Sequence, residues 1–226
     1  MRVWLAVALL MVAAGCGREA EPTVSERTEP ARPAPVAPTP PDDRPVIVAF
    51  GDSLTAGLGV KTGVNYPAVL QSLLDDLGYR YRVQNAGVSG DTTGGGLARI
   101  DTVLAYKPAI VILELGANDG LRGLPIESTR GNLAAMIQKL QAAHARVILA
   151  GMKLPPNYGP DYARSFERVF VGLSEKYKII LIPFFLEGVA ARPELLQSDQ
   201  MHPNEAGHKI VAANVMRALE PALARR

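Results

Sequence analysis

The side chains best suited to do chemistry lie far apart along the chain. Gly51-Asp52-Ser53-Leu54-Thr55-Ala56-Gly57 follows an apolar run and puts a serine hydroxyl where glycines permit a tight turn. A serine alcohol is a weak nucleophile at its own pKa, so it needs a base within hydrogen-bond reach, and histidine is the usual one near neutral pH. The sequence has 3 histidines. His144 ends a predicted helix beside Ala145-Arg146, and His208 falls inside the last predicted helix; both positions suit solvated surface residues. His202 differs, because Asp199 precedes it by one turn in Asp199-Gln200-Met201-His202-Pro203-Asn204. That carboxylate can bond Nδ1 of the imidazole, fix its tautomer and leave Nε2 to face Ser53. By residue type alone a plainer reading stays open, in which Asp52 and Ser53 cap a helix and Asp199 caps a turn.

Acyl transfer also needs donors for the oxyanion of a tetrahedral intermediate, and losing one typically costs ~3 kcal/mol of barrier lowering. Two further segments offer them. Asn85-Ala86-Gly87-Val88-Ser89-Gly90-Asp91 brings a glycine N–H that can approach a ligand closely, and Gly116-Ala117-Asn118-Asp119-Gly120 brings a side-chain amide. Turn glycines and a left-handed Asn are the alternative. Asp52, Asp91 and Asp119 are three carboxylates that could gather a divalent cation. Bracing of the loops on which they sit is the simpler reading, so no metal site is expected.

These segments gain meaning from the elements around them. Short apolar runs alternate with helical stretches after Pro45, which argues for an α/β domain with a mostly parallel, five-stranded sheet. The predicted strands are Val46–Phe50, Tyr81–Gln84, Ala109–Leu115, Arg146–Ala150 and Ile179–Ile182, most of them continuous Val, Ile or Leu runs as buried strands require. Helical spacing predicts helices over Tyr66–Leu77, Ile126–Ala143, Tyr162–Tyr177 and about Pro203–Leu223. The expected architecture is a three-layer α/β/α, flavodoxin-like sandwich. In such sheets ligands bind beyond the carboxyl ends of the strands, which is where each unusual segment falls.

With four strand-end segments in order, the chain resembles the SGNH hydrolases, a branch of the GDSL esterases and lipases. The resemblance spans about residues 46–222 and rests on GDSLTAG around Ser53, NAGVSGD around Gly90, GANDG around Asn118 and DQMHPN around Asp199 and His202. ELGANDGLRGLP and LPPNYGPDY are similar to segments of the bacterial arylesterase, acyl-CoA thioesterase and lysophospholipase branch. The resemblance implies Ser53 as nucleophile, His202 as base and then acid, and Asp199 as its orienter. It implies an oxyanion hole of the Ser53 and Gly90 N–H groups and the Asn118 side chain, and a mechanism that needs no cofactor. Leu121, Leu154, Pro155 and Tyr158 could line an apolar acyl pocket, or equally brace loops. The chain departs from the family pattern at Ala117 and at Gln200, each where glycine is common; a loop that needs positive φ at Gln200 would be strained.

Substrates implied are short or medium acyl esters, aryl esters, thioesters or lysophospholipids. The rival reading is a noncatalytic envelope module that holds a lipid or glycan on the same fold. A flavodoxin-like nucleotide binder is weaker, since the glycines after the first strand lack a GK[ST] ending.

Composition bounds the rest. With 226 residues, 48% hydrophobic and 20% charged, the chain has material for one sizeable core. A formal charge of +2 with no basic run gives no electrostatic footprint for nucleic acid. Arg2, the apolar Val3–Val12 stretch and Ala13-Ala14-Gly15 read as a signal peptide over residues 1–15; an apolar stretch of about ten residues is half what a spanning helix needs. Cys16, the single cysteine, follows those small residues as in a lipoprotein signal, with Ala13 where Leu is more usual. Lipidated Cys16 would make the protein an exported, periplasmic, membrane-anchored lipoprotein. Residues 16–45 are too proline-rich to build a core and read as a semi-extended tether to a hydrolase domain at 46–226. Export favours lipid or carbohydrate esters of the envelope over cytoplasmic acyl-CoA.

Overall fold

A computed structural model describes residues 42–224. The signal peptide, Cys16 and the tether up to residue 41 lie outside the described residues. Asp42 to Pro45 already engage the folded unit: Arg44 donates to the Tyr81 carbonyl, and the Pro45 carbonyl accepts from Arg82 N–H.

In chain order the elements are β1 (Val46–Gly51), α1 (Ser53–Ala56), α2 (Tyr66–Asp76), β2 (Arg82–Gly87), α3 (Thr93–Ala98), α4 (Ile100–Leu104), β3 (Ile110–Glu114), α5 (Ala117–Leu121), α6 (Ile126–Ala142), β4 (Arg146–Ala150), α7 (Pro160–Tyr177), β5 (Ile180–Ile182) and α8 (Glu205–Leu219). All strand pairings are parallel, in the order β2-β1-β3-β4-β5. Helices cover both sides, α2 packing on α8 while α6 packs on α3 and α7. The expected three-layer α/β/α sandwich is the fold observed. Among the described residues no helix is long and apolar enough to cross a membrane.

The sheet forms because β1 and β3 are apolar runs buried along their whole length. Burying each such Val, Ile or Leu side chain stabilises by roughly 1.5–3 kcal/mol. Tyr66, Leu70 and Leu74 on α2 and Val211, Val215 and Leu219 on α8 pack on the same core at helical spacing. Gly51 lies opposite both Gly87 and Glu114 in register, so β1, β2 and β3 end level with one another. The chain leaves β1 for β2 on one side and later returns to β3 on the other. Between them opens the crevice that this strand order creates.

Where the structure differs from the sequence reading, backbone pairing or packing overrides local preference. β2 runs on to Gly87, into residues read as loop, because Ala49, Phe50 and Gly51 pair with Asn85, Ala86 and Gly87. A Cβ at Gly87 would collide with the backbone of Ala56, so the close approach of α1 requires that glycine. Helix α7 starts two residues early at Pro160, with proline in the first turn where its missing N–H costs nothing. Helix α8 begins at Glu205, capped by the Asn204 side chain, and ends at Leu219 before a 3₁₀ turn over Glu220–Ala222. The helices α1, α3, α4 and α5 are too short to show a period in sequence.

His208 is not a surface residue. It is 1% exposed, on the buried stripe of α8, where its Nδ1 accepts from Tyr66 N–H at 3.2 Å. Burial, and then the proximity of His202, push it down to about 4, so it is neutral at pH 7. His144 is exposed, in a left-handed conformation after α6.

Candidate active site

Strand β1 delivers Ser53 to the crevice. Asp52 caps α1 by accepting from Leu54 N–H at 3.0 Å, which leaves Ser53 as the first helical residue, its side chain at the surface of the core. Ser53 Oγ lies 2.8 Å from His202 Nε2, although 149 residues separate them. His202 Nδ1 lies 2.6 Å from Asp199 Oδ2, and the other oxygen of Asp199 accepts from the N–H groups of Met201 and His202 at 2.9 and 3.0 Å. Burial works to raise the Asp199 carboxyl, but those two N–H groups and the imidazole outweigh it and hold the group down at about 2. An ionised carboxylate only accepts, so Nδ1 carries the ring proton and Nε2 offers its lone pair to the Ser53 hydroxyl. Ser53, His202 and Asp199 thus stand in the order that proton removal from a serine requires.

The loop carrying Asp199 and His202 is closed by an antiparallel bridge between Leu196 and Pro203 and by Gln197 N–H donating to the His202 carbonyl at 2.8 Å. Gln200 holds φ at 58°, the left-handed region that disfavours a side chain. The Gln that stands where glycine is common is therefore a real local strain, not a broken loop. Gln197, not singled out from sequence, donates from Nε2 to the Pro203 carbonyl at 2.9 Å and the Leu58 carbonyl at 2.7 Å. It ties the loop that carries His202 to the turn after α1. Nothing in its spacing could have revealed that.

The Ser53 and Gly90 N–H groups make no hydrogen bond within the described residues. Asn118 donates from Nδ2 to Asp52 Oδ2 at 3.0 Å, and its second amide hydrogen remains available. Arg122 Nη2 donates to the Gly90 carbonyl at 3.0 Å and reaches Asn118 Oδ1 at 3.5 Å. These bonds link the Gly90 loop through Arg122 to Asn118, and Asn118 to the residue before Ser53. Below them Arg99 donates to Asp91 at 2.6 Å, to the Ala86 carbonyl at 2.8 Å and to the Gly51 carbonyl at 3.0 Å, pinning two strand-end loops together.

The three aspartates considered for a metal are each taken up by donors. Asp91 pairs with Arg99, Asp119 accepts from Thr93 N–H at 2.8 Å and Thr93 Oγ1 at 2.5 Å, and Asp52 holds Leu54 and Asn118. Among the described residues no cluster of metal-ligating side chains forms. Burial raises Asp52 to about 6, against the opposing pull of Leu54 N–H, the Asn118 amide and His202. Burial and the neighbouring Asp52 push Glu114 well above the usual carboxylate range.

Of the residues read as pocket or brace, the contacts seen are bracing ones. Tyr158 donates its hydroxyl to the Leu121 carbonyl at 2.9 Å, and Leu154 sits so close over Gly120 that a Cβ there would lie 2.6 Å from it. Pro155 leads into the 3₁₀ turn Pro156–Tyr158. Together they strap the segment after β4 onto α5.

A crevice at the switch point of a parallel sheet, holding serine, imidazole and carboxylate in hydrogen-bonded sequence, defines a hydrolase of the acyl-transfer type. The chain belongs to the GDSL-like lipase/acylhydrolase family, whose profile matches residues 49–210. It is similar to Esterase TesA of Pseudomonas aeruginosa, 47% identical over 178 residues that cover 78% of this chain and 89% of that protein. It is also similar to the thioesterase 1/protease 1/lysophospholipase L1 of Escherichia coli K12, 36% identical over 176 residues covering 77% and 83% respectively. The crystal structure of TesA superposes with a TM-score of 0.76 at 47% identity, covering 78% of this chain and 98% of that one. The protein is a carboxylic ester hydrolase of the SGNH type.

Proposed function

We propose that Ser53 is the nucleophile of this esterase, His202 its general base and acid, and Asp199 the group that orients and charges His202. The observation that carries the proposal is the unbroken hydrogen-bonded line from Ser53 Oγ through His202, 2.8 and 2.6 Å, to Asp199. Ser53 attacks the ester carbonyl as its proton passes to Nε2. The tetrahedral oxyanion is met by the Ser53 and Gly90 N–H groups and the Asn118 amide; His202 then protonates the leaving alcohol. Water, deprotonated by the same nitrogen, releases the acid from the acyl-enzyme. The substrates are esters of short or medium acyl chains or of aryl alcohols, with thioesters and lysophospholipids as further members of the class. The similarity to an esterase and to a thioesterase/lysophospholipase supports that range.

Export is part of the proposal. Residues 1–15 act as a signal peptide, and Cys16 is lipidated and holds the hydrolase domain at a periplasmic membrane face through a tether that ends where the folded unit begins at Asp42. Mass spectrometry of the mature N-terminus tests this: a diacylated Cys16 is expected, and an unmodified start elsewhere overturns it.

Hydrolysis of p-nitrophenyl esters of graded chain length by the native protein, beside Ser53→Ala, tests the chemistry. Loss of at least about 10³-fold in kcat is expected. Unchanged activity in Ser53→Ala would displace the nucleophile, and no activity in the folded native chain would return weight to a lipid- or glycan-holding module.

A further inference from the structure

Beneath the Ser53 turn lies a carboxyl group for which the acyl-transfer steps have no use. Glu114 is the last residue of β3, opposite Gly51 in register, and is 0% exposed. Its Oε2 accepts from Thr55 Oγ1 at 2.7 Å and from Asp52 N–H at 3.3 Å. Its Oε1, equally buried, has no hydrogen-bond donor among the described residues. An ionised carboxylate with one oxygen unserved in a dry core is a costly arrangement.

Asp52 resolves it. Its N–H already donates to Glu114 Oε2 at 3.3 Å, so the two carboxyl groups share one buried site, where one of them keeps a proton. Asp52 receives the Leu54 N–H and the Asn118 amide and faces His202, all of which favour its charge. Glu114 is the more deeply buried and is pushed well above the usual carboxylate range, first by burial and then by Asp52 itself. The proton therefore stays on Glu114. Protonation removes the charge that would otherwise sit on a carboxylate whose Oε1 has no donor in the core.

We propose that Glu114 is a positioning residue for oxyanion stabilisation: as a neutral acid it donates to Asp52, and so holds the carboxylate that aims the Asn118 amide. Asp52 Oδ2 takes one amide hydrogen of Asn118 at 3.0 Å, which fixes the amide and leaves its other hydrogen free for an oxyanion. With its carboxylate held between the Leu54 N–H, the Glu114 acid and the amide, Asp52 has little freedom to rotate. Preorganised donors of this kind need no rearrangement as charge develops. The inference rests on the proposed role of Asn118 as an oxyanion donor.

The test compares Glu114→Leu, Glu114→Gln, Asn118→Ala and the Glu114→Leu/Asn118→Ala double variant in the native chain, reading kcat and KM separately with a p-nitrophenyl ester. Glu114→Leu is expected to lower kcat about tenfold or more with KM within roughly threefold, the mark of an interaction made in the transition state. Glu114→Gln, whose amide still donates to Asp52 and whose carbonyl still accepts from Thr55, restores kcat to within about threefold of the native chain. The double variant is expected to be no slower than Asn118→Ala alone, because the two residues act in series. An infrared carbonyl band of a neutral, buried carboxylic acid is expected in the native protein and lost in Glu114→Gln; this reading holds even where Glu114→Leu does not fold. Absence of that band, an unchanged kcat in folded Glu114→Leu, a kcat loss in Glu114→Gln as large as in Glu114→Leu, or losses that multiply in the double variant overturn the proposal. A kinetically silent Asn118→Ala removes the oxyanion role of Asn118 itself, and this inference with it; a slow Asn118→Ala whose loss multiplies with that of Glu114→Leu leaves the oxyanion hole standing and removes Glu114 alone.

Discussion

Asp52, Ser53 and Thr55 are 1%, 9% and 0% exposed at the end of β1, whereas Asp199, Gln200 and Met201 face solvent on the loop before α8, Met201 at 50%. The two halves of the proposed reaction centre are held by different means. On the nucleophile side, tertiary contacts dominate: Arg99 on the Gly51 carbonyl, Glu114 on Thr55 and Asn118 on Asp52 all come from other elements. On the base side the bonds are mostly local, from Asp199 to the next few residues, with Gln197 as the main tie across to Leu58. Bonds between distant elements resist local opening better than bonds within a loop. The fold thus invests rigidity in the proposed nucleophile, and sets His202, its side chain 16% exposed, on a loop where Asp199, Gln200 and Met201 face solvent.

The largest effect expected from this contrast follows removal of the proposed base. His202→Ala should lower kcat by about 10⁴-fold, with added imidazole recovering roughly tenfold, because an open loop admits a substitute base. Failure of imidazole to restore any activity would mean that the base side is as closed as the nucleophile side. Asp199→Asn, which removes the charge that fixes the tautomer, is expected to cost about 10³-fold in kcat at pH 7.5. A loss below tenfold would mean that the loop alone orients His202.

On the buried side the response should appear as instability. A Cβ on Gly51 would run into Thr55 Oγ1 and Glu114 Oε2, and would stand 2.6 Å from the Glu114 carbonyl oxygen. Gly51→Ala is therefore expected to lower unfolding stability by about 3 kcal/mol in urea titration. A neutral result would show that the nucleophile side is looser than its packing implies.

His208 connects the halves through pH. Its pKa falls from 6.5 to about 4 on folding, so the folded chain binds fewer protons than the unfolded one between those values. Its contribution is complete above pH 6.5 and is lost as pH falls toward 4. Asp52, raised by burial to about 6, acts in the opposite sense, so the native curve alone will not isolate either. The expected observation is that the stability gap between the native chain and His208→Gln narrows by roughly 2 kcal/mol from pH 7.5 to pH 4.5. A constant gap would place His208 in contact with water. The smallest effect belongs to Gln200: replacing it with glycine should relieve the strain at φ 58° and raise stability by roughly 0.5 kcal/mol in thermal unfolding. A loss instead would show that the Gln200 side chain, bonded to the Gln197 carbonyl at 3.2 Å, contributes more than its backbone costs.

Much of this was legible in the residues. The strand runs β1, β3 and β4 could be read because burial on both faces demands continuous Val, Ile and Leu. The end of β2 could not, since Asn85, Ala86 and Gly87 have weak strand preference and pair only because β1 extends beside them. His208 was misread because a lone polar residue among Val211, Ala212 and Val215 looks the same in sequence whether the stripe is buried or half open. Glu114, Gln197 and Arg99 carried no signal, as their partners lie 59, 139 and 48 residues away.

The sequence by itself determined which elements form and which residue types reach the strand ends, because periodicity and turn chemistry act over a few residues. It also carried the family resemblance, in four short blocks around Ser53, Gly90, Asn118 and Asp199. Only the tertiary structure decided that Ser53 Oγ meets His202 Nε2 at 2.8 Å, that His208 is neutral in the core, and that Glu114 abuts Asp52. Protonation and hydrogen bonding depend on the groups that surround an atom in space, and in this chain most of those groups are supplied by segments far along the backbone.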